Sequence, residues 1–255
     1  MGSTSVNLFD QSPAFLILAG IAAFTVGLSK GGLPAIGSLA VPLMTLSISP
    51  VVAAGLLLPI YVASDAVGLW LYRHQYSAVN LRILVPAGLL GVGLGWATAH
   101  VVSEQRVMLF VGLVGLFYCL SAWLRRDPGQ ARPASVPAGI AWGALAGFSS
   151  FVAHSGAAPF QVYVLPQRLE KMVFAGTATI LFAIINFAKI PPYWALGQLN
   201  AGGLEIAAAL VPVAAAGAFA GVHLTRLLPE KISFEAVRIA LDELAADVGV
   251  HPGAA

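Results

Sequence analysis

The sequence predicts an all-α polytopic membrane protein whose helical bundle is built from two homologous repeats. Of the 255 residues, 58 % are hydrophobic and only 9 % are charged, against about 25 % charged in ordinary soluble domains. Apolar segments that equal or approach the roughly 20 residues needed to span a bilayer core follow one another along the chain. Related patterns recur on the two sides of a polar link near the middle, which indicates the repeats.

Seven apolar segments account for most of the chain. They run at residues 14–47, 50–72, 82–102, 106–124, 137–166, 171–189 and 203–225. The first segment is interpreted as structure rather than as a cleaved signal, because no Lys or Arg precedes it and more apolar sequence follows directly. We therefore expect a multi-pass protein embedded in a lipid bilayer.

The two halves carry matching patterns at matching spacings. The tetrapeptide AGIA at 19–22 recurs at 138–141, and the interval from Gly55 to Asp65 equals that from Gly176 to Asn186. Four more residues of the first half recur in step in the second, Pro86, Gly91, Gly95 and Glu104 as Pro212, Gly217, Gly221 and Glu230. The glycine and alanine rows at 88–95 and 214–221 predict close helix packing rather than chemistry.

The repeats define one functional domain with five parts. These are an N-terminal tail at 1–13, a first membrane repeat at 14–124, a central polar loop at 125–136, a second membrane repeat at 137–231 and a C-terminal segment at 232–255. The last part is amphipathic or degenerate, because it carries charges where the repeat pattern calls for an apolar span but keeps apolar residues at helical spacing. We expect a helix there that does not cross the bilayer.

The first segment of each repeat is too long for one simple span and contains a Gly/Ser/Pro-rich interruption, GLSKGGLP at 27–34 and GFSSFVAHSGAAP at 147–159. Glycine and proline together break helices, and broken backbone at membrane depth is tolerated only where it is buried or lines a cavity. Paired interruptions at corresponding positions are the best sequence pointer to a transport site.

Loop charges favour a re-entrant hairpin for each broken segment. If each segment crosses the membrane once, the loop Lys and Arg residues divide almost evenly between the two sides. If each forms a hairpin, nine lie on one side and only Arg106 and Lys189 on the other, which matches the enrichment of positive charge in cytoplasmic loops. Each repeat then has five membrane elements, so the second repeat is inverted relative to the first.

The first interruption predicts half of an anion site. A lysine near the bilayer core is costly unless it is paired or hydrated, and glycine amides at a fresh helix start can form an anion-binding nest. We expect the substrate-binding residues here to be Gly27, Ser29, Lys30, Gly31, Gly32 and Pro34. The alternative is that Lys30 extends to the cytoplasmic interface.

The second interruption predicts the other half of the site. Its candidate substrate-binding residues are Ser150, His154, Ser155, Gly156 and Pro159, with Ser149 nearby. A histidine with an ordinary pKa near 6.5 can carry a proton in a coupled cycle. The alternative is a histidine that donates to a backbone carbonyl of the broken helix and never titrates, beside serines that satisfy freed backbone groups.

Asp65 and Asn186, at matching repeat positions, are candidates for proton coupling or gating, together with Lys189. A carboxylate inside the membrane is a proton site or a partner for Lys30, and the alternative is a permanent structural ion pair. Lys189 lies one turn after Asn186, before IPPY, which we expect to end the helix. An interfacial, snorkelling lysine is the preferred interpretation of Lys189.

The sequence gives no sign of a cofactor, a metal site or a nucleic-acid partner. The only cysteine, Cys119, rules out internal disulfides and cysteine-built metal centres, and the Lys30 motif lacks the spacing of a phosphate-binding loop. An intramembrane enzyme using Ser155 and His154 is disfavoured, because no third group that would orient the histidine is evident.

Four stretches resemble the TauE/SafE family of membrane permeases, in the branch whose second repeat usually reads like H-A-G-G-P-P. They are GLSKGGLPAIGSLAVPLM, SPVVAAGLLLPIYVASD, GFSSFVAHSGAAPFQVYVLPQRL and FAKIPPYWALGQL, and the resemblance covers roughly residues 13–231. Ala157 and Ala158 replace the usual glycine and first proline of the second motif, and the final apolar span of the family is missing.

The resemblance implies a secondary transporter of small sulfur-containing anions, such as sulfite, sulfoacetate or related sulfonates, in the cell inner (plasma) membrane. It places the substrate at the breaks around Lys30 and His154, with alternating access between the two sides. The partners we expect are the small anion and the bilayer, with protons as the coupling ion and no nucleic acid. A homodimer, an anion channel and a transporter of a small carboxylate or another oxyanion stay open as alternatives.

Overall fold

The computed structural model describes residues 12–99, 109, 113 and 131–227. The regular secondary structure of these residues is entirely helical. Six of these helices are long and apolar enough to cross a membrane. They are α1 (Pro13–Lys30), α4 (Pro50–Tyr72), α5 (Ala78–Thr98), α6 (Val136–Ala153), α8 (Lys171–Ala195) and α9 (Ala201–Leu227). The predicted all-α multi-pass membrane architecture is therefore confirmed.

Three short helices complete the described chain. They are α2 (Pro34–Gly37), α3 (Ala40–Thr45) and α7 (Ala157–Val164), the last followed by a 3₁₀ turn at Leu165–Gln167. The predicted apolar segment 106–124, apart from residues 109 and 113, lies outside the described residues, as do the C-terminal helix at 232–250 and most of the central loop.

Both predicted interruptions are confirmed, and each is shorter than the sequence pattern. The first is Gly31–Leu33, after which Pro34 begins α2; the second is His154–Gly156, between α6 and α7. At the second break the Ser155 N–H reaches the Ser149 carbonyl and the His154 N–H reaches the Ser150 carbonyl. The His154 bond is the one that defines an αL ending of a helix, and His154 lies in the left-handed region at φ 54°.

Two helices extend beyond their predicted ends. α8 continues through Pro191 and Pro192 to Ala195, so the expectation that IPPY ends this helix is wrong. Tyr193 explains the extension, because its buried ring is held against α6 by a 2.5 Å hydrogen bond from its hydroxyl to the Phe151 carbonyl. α5 begins earlier than predicted, at Ala78, where Ser77 provides the N-cap.

The most extensive helix contacts join the two halves of the chain. α1 packs on α9 and α5 packs on α6, so the first helix of each half meets the last described helix of the other, while α4 packs on α8. Glycines allow this close approach, since a Cβ at Gly27 would meet the Ala214 carbonyl and one at Gly91 would meet the Ala144 carbonyl. The predicted packing role of the small-residue rows is confirmed.

The chain turns cluster at two ends of the bundle. At one end, the start of α1, the turn before α4 and the turn before α9 surround a cavity of about 170 Å³, with Phe15, Ile48 and Asn200 among its walls. At the other end, Tyr163 donates to the Ser135 carbonyl at 3.1 Å. There the start of α6 and the end of α7 lie together.

The same second end also contains the turns before α5 and α8. The Ser77 N–H donates to Thr177 Oγ1 at 2.9 Å, and Asn80 donates to Gln167 Oε1 at 2.9 Å. Asn80 is buried by these contacts. The two helix breaks consequently lie between the ends of the bundle, where α4 and α8 cross.

Candidate functional site

The two helix breaks meet α4 and α8 around a small cavity of about 30 Å³. Its walls combine one lysine with hydroxyl, amide and aromatic side chains. The lining residues that matter chemically are Lys30, Tyr61, Ser150, His154, Thr179 and Asn186. The structure thus brings together both predicted halves of the site, since Lys30 and His154 face the same space.

Lys30 and Asp65 form a buried ion pair. Lys30 Nζ lies 2.6 Å from Asp65 Oδ1, and the side chains are 5 % and 0 % exposed. Asn186 Nδ2 donates to the other carboxylate oxygen, Oδ2, at 2.8 Å. The structure thus contains the Lys30–Asp65 pair that was one of the interpretations of Asp65, and the alternative in which Lys30 extends to the interface does not hold here. The matching repeat residues Asp65 and Asn186 also contact each other directly.

Lys189 is a second buried lysine, and the preferred interpretation of it as an interfacial lysine is wrong. Its side chain is fully buried, and Nζ lies 3.1 Å from both the Ser150 carbonyl and Ser150 Oγ. The Ser150 carbonyl belongs to the last turn of α6. The carbonyl end of a helix carries partial negative charge, which favours an amine at this place.

His154 is held as a neutral imidazole with a defined tautomer. Nε2 lies 3.0 Å from the Ala54 carbonyl, which only accepts, so Nε2 carries the proton. Nδ1 then accepts from Lys189 Nζ at 2.8 Å. A second proton on His154 would face the Lys189 amine, so this geometry corresponds to the alternative of a histidine that donates to a backbone carbonyl. That carbonyl belongs to α4 rather than to the broken helix.

Two aromatic rings flank Lys30. Its Nζ lies 5.3 Å from the Tyr61 ring centroid and 6.0 Å from that of Phe182, within or at the range of cation–π attraction. Tyr61 also stacks on His154, with centroids 4.5 Å apart and planes 19° apart. Tyr61 precedes Asp65 by four residues and Phe182 precedes Asn186 by four, so the two rings occupy equivalent repeat positions.

Sequence reasoning missed Tyr61, Thr179 and Phe182. The signal that finds them is helical spacing, because residues three, four or seven positions before an inward-facing residue share its helix face. Counting back from Asp65 on α4 gives Tyr61, and counting back from Asn186 on α8 gives Phe182 and Thr179.

The glycines of the first break serve packing, which corrects the predicted amide nest. The Gly31 N–H donates to the Gly27 carbonyl at 3.1 Å and so closes α1. The Gly31 carbonyl accepts from Tyr72 at 2.7 Å, and Gly27 faces α9. Gly32 adopts φ 115°, a left-handed conformation that favours glycine. Neither a fresh helix start nor a free Gly31 amide is present at Lys30.

Some of the other candidate residues line the cavity, and others donate hydrogen bonds to nearby backbone carbonyls. Ser29 and Pro34 line the cavity, although the Ser29 hydroxyl donates to the Val26 carbonyl at 2.6 Å. Ser155 donates to the Ala153 carbonyl at 3.2 Å, and both His154 nitrogens have other partners, so the Ser155–His154 pairing of a hydrolytic enzyme is not formed. The last two candidates are packed in the protein interior, Gly156 and Pro159.

Charge balance is the most informative property of the site. The Lys, Arg, Asp and Glu side chains buried within the described residues are Lys30, Lys189 and Asp65. If both amines are protonated and His154 is neutral, these side chains carry one positive charge in excess. An uncompensated buried charge is strongly unfavourable, and an anion bound at the site would compensate it. Among the described residues, no three His, Cys, Asp or Glu side chains come together as in a metal centre.

Comparison with protein families identifies a match over most of the chain. The family model described as "Sulfite exporter TauE/SafE" matches residues 17–241, which is most of the chain and includes both helix breaks. No curated protein and no solved structure matches the chain. The family match agrees with the resemblance carried by the two interrupted segments.

Proposed function

The chain belongs to the TauE/SafE sulfite exporter family, and from this premise we propose that it is a secondary transporter of small sulfur-containing anions. The substrate class is sulfite, sulfoacetate or a related sulfonate, moved across the cell inner membrane. The observation that carries the proposal is that the buried Lys30 side chain lines the cavity between the breaks, in an interior where two buried lysines accompany one buried carboxylate, Asp65. An anionic substrate would supply a second negative charge.

Alternating access between two inverted repeats is the proposed mechanism. Two contact patterns support it. Each half packs its first helix on the last described helix of the other half, as a two-fold relation between repeats requires. The chain also returns after each break to the end where the broken segment began, as a re-entrant hairpin does. The cavity between the breaks is then the fixed point around which the halves rock.

Asp65 is the proposed proton-coupling residue. While it is ionised, its carboxylate holds Lys30 at 2.6 Å and competes with an anionic substrate for that amine. A proton on Asp65 would release Lys30 to the substrate, which links proton and anion binding at one residue. His154 has both ring nitrogens engaged, so its proposed role is to position Lys189 and Tyr61.

Substitution of Lys30 tests its proposed anion-binding role directly. We expect Lys30→Ala to abolish sulfite uptake into proteoliposomes, because the amine nearest the cavity is lost. Since this substitution also leaves Asp65 buried without its partner, the double variant Lys30→Ala/Asp65→Ala is measured beside it, and it too is expected to be inactive. Arg82→Ala, which removes an exposed charge at the start of α5, serves as the control and should retain uptake. Full transport by the folded double variant would refute the role of Lys30.

The anion channel is separated from the transporter by counterflow. A transporter preloaded with unlabelled sulfite accelerates entry of labelled sulfite, since the loaded site returns faster than the empty one. A channel gives no such acceleration. Counterflow in the wild-type protein is therefore the expected result, and its absence with normal net flux would favour the channel.

A further inference from the structure

Thr179 is the buried hydroxyl of the site for which the structure offers no internal partner. It is 2 % exposed and lines the cavity, and Oγ1 makes no hydrogen bond to any described residue. Buried hydroxyls on helices normally donate to a carbonyl one turn back. Thr177 does so to Val173 at 2.6 Å and Ser64 to Ile60 at 2.8 Å. Thr179 departs from this pattern at the place where a substrate is expected.

Packing around Gly68 accounts for the position of the Thr179 methyl group. A Cβ at position 68 would lie 2.6 Å from that methyl group, so the methyl occupies the space that the glycine leaves open. With the methyl held against α4, the hydroxyl is the other branch of a side chain that lines the cavity. Gly68 lies three residues after Asp65, and Lys189 lies three residues after Asn186, so the two positions are equivalent in the repeats.

Two other donors at the cavity have free hydrogens. Lys30 has three N–H groups, and Asp65 is the one hydrogen-bonding or ion-pair partner that the described residues give it. Ser150 accepts from Lys189 through Oγ, and its own O–H has no acceptor within the described chain. Thr179 on α8 is the third donor, beside Lys30 on α1 and Ser150 on α6.

Three separate donors fit a group that has three acceptor oxygens. A carboxylate presents two oxygens in one plane, so it cannot place a separate oxygen at each of the three donors. A site built to hydrogen-bond a group discriminates strongly against an analogue that lacks the matching atom. We propose that Thr179 is a substrate-binding residue that donates to the third oxygen of an –SO₃ group and selects that group over carboxylates. This inference rests on the proposed function.

The test measures binding to the full chain in lipid nanodiscs by titration calorimetry, with sulfite and formate as compact probes. Thr179→Val keeps the side-chain shape but removes the hydroxyl, whereas Thr179→Ser keeps the hydroxyl. A hydrogen bond to a charged group is worth about tenfold in affinity or more. We expect Thr179→Val to weaken sulfite binding about tenfold or more and to lower the sulfite-to-formate affinity ratio, while Thr179→Ser stays close to wild type.

Thr25→Val is the matched control, because the Thr25 hydroxyl on α1 donates to the Ala22 carbonyl at 2.8 Å. It should bind sulfite as the wild type does. The inference is overturned if folded Thr179→Val binds sulfite with wild-type affinity, or if its affinities for sulfite and formate fall equally. If the wild-type protein binds neither sulfite nor another sulfur oxyanion, the proposed function itself fails.

Discussion

Asp65 decides how the buried charges of this protein are arranged. One carboxylate oxygen accepts from Asn186 and the other pairs with Lys30, while Lys189 is stabilised separately at the end of α6. Because Asp65 is fully buried, solvent does not stabilise its charge and only these neighbours do. In the proposed mechanism the same residue therefore controls the availability of Lys30 to the substrate.

Asp65→Asn is expected to uncouple transport from the proton gradient. The amide keeps the size of the carboxyl group but carries no charge and takes up no proton, so Lys30 stays available to the anion at every pH. We expect sulfite binding to persist while sulfite flux in proteoliposomes no longer responds to an imposed pH difference. Flux of the variant measured with and without that difference gives the result.

Ser64→Ala provides the control for this variant. Ser64 neighbours Asp65 on α4, is buried, and donates its hydroxyl only to the local Ile60 carbonyl. Its loss should leave the response to the pH difference intact. A pH-driven flux through Asp65→Asn equal to that of the wild type would assign coupling to another residue.

At the scale of single helices, close contact between α5 and α6 depends on glycines that the sequence pattern identifies. Gly91 approaches Ala144 and Phe148 so closely that a Cβ would overlap the backbone of α6. Gly93, two residues later on the same helix, has nothing within 4 Å of the position its Cβ would take. Comparing substitutions at these two glycines therefore separates the effect of helix packing from the effect of intrinsic helix propensity.

Gly91→Ala is expected to destabilise the protein where Gly93→Ala does not. Overpacking a tight contact costs about 1–3 kcal/mol, whereas alanine at an open helical position is favourable by up to about 1 kcal/mol. Thermal denaturation of the two variants in the same detergent should show a lower midpoint for Gly91→Ala alone. Equal thermal midpoints for the two variants would contradict the packing role of Gly91 between α5 and α6.

At the scale of the whole molecule, the proposed inversion of the repeats makes a prediction about sidedness. If each broken segment is a re-entrant hairpin, the turns at 46–49 and 196–200 lie outside, and those at 73–77 and 168–170 lie in the cytoplasm, where positive charge is enriched. The contacts of the structure group these turns in the same way at the two ends of the bundle.

Cysteine labelling in intact cells tests this sidedness. In a Cys119→Ser background, Ser47→Cys and Asn200→Cys should react with a membrane-impermeant maleimide, whereas Gln75→Cys should react only after the cells are opened. All three parent residues are exposed, so the side of the membrane decides the outcome. Labelling of Ser47→Cys and Gln75→Cys from the same side would contradict the hairpin and with it the inversion.

Much of the helical architecture could be predicted from the sequence, because the sequence patterns that indicate it are local. Runs of apolar residues mark the spanning helices, glycine and proline mark the two breaks, and charges within apolar runs mark Lys30 and Asp65. These features depend on a few neighbouring residues and on the cost of polar groups in lipid. The equal intervals after Gly55 and Gly176 likewise place Asp65 and Asn186 at equivalent repeat positions.

The partners of these residues were decided only by the tertiary structure. Lys189 was expected at the interface but lies at the end of α6, and Gly31 was expected to bind an anion but packs beneath Thr225, 194 residues away. Thr179 stands out only because its hydroxyl lacks an internal acceptor among the described residues. Sequence by itself determined which segments enter the membrane and where they break, because apolar burial and backbone hydrogen bonding act within a segment. Which side chains share the cavity depends on how distant helices cross, and only the folded chain specifies that.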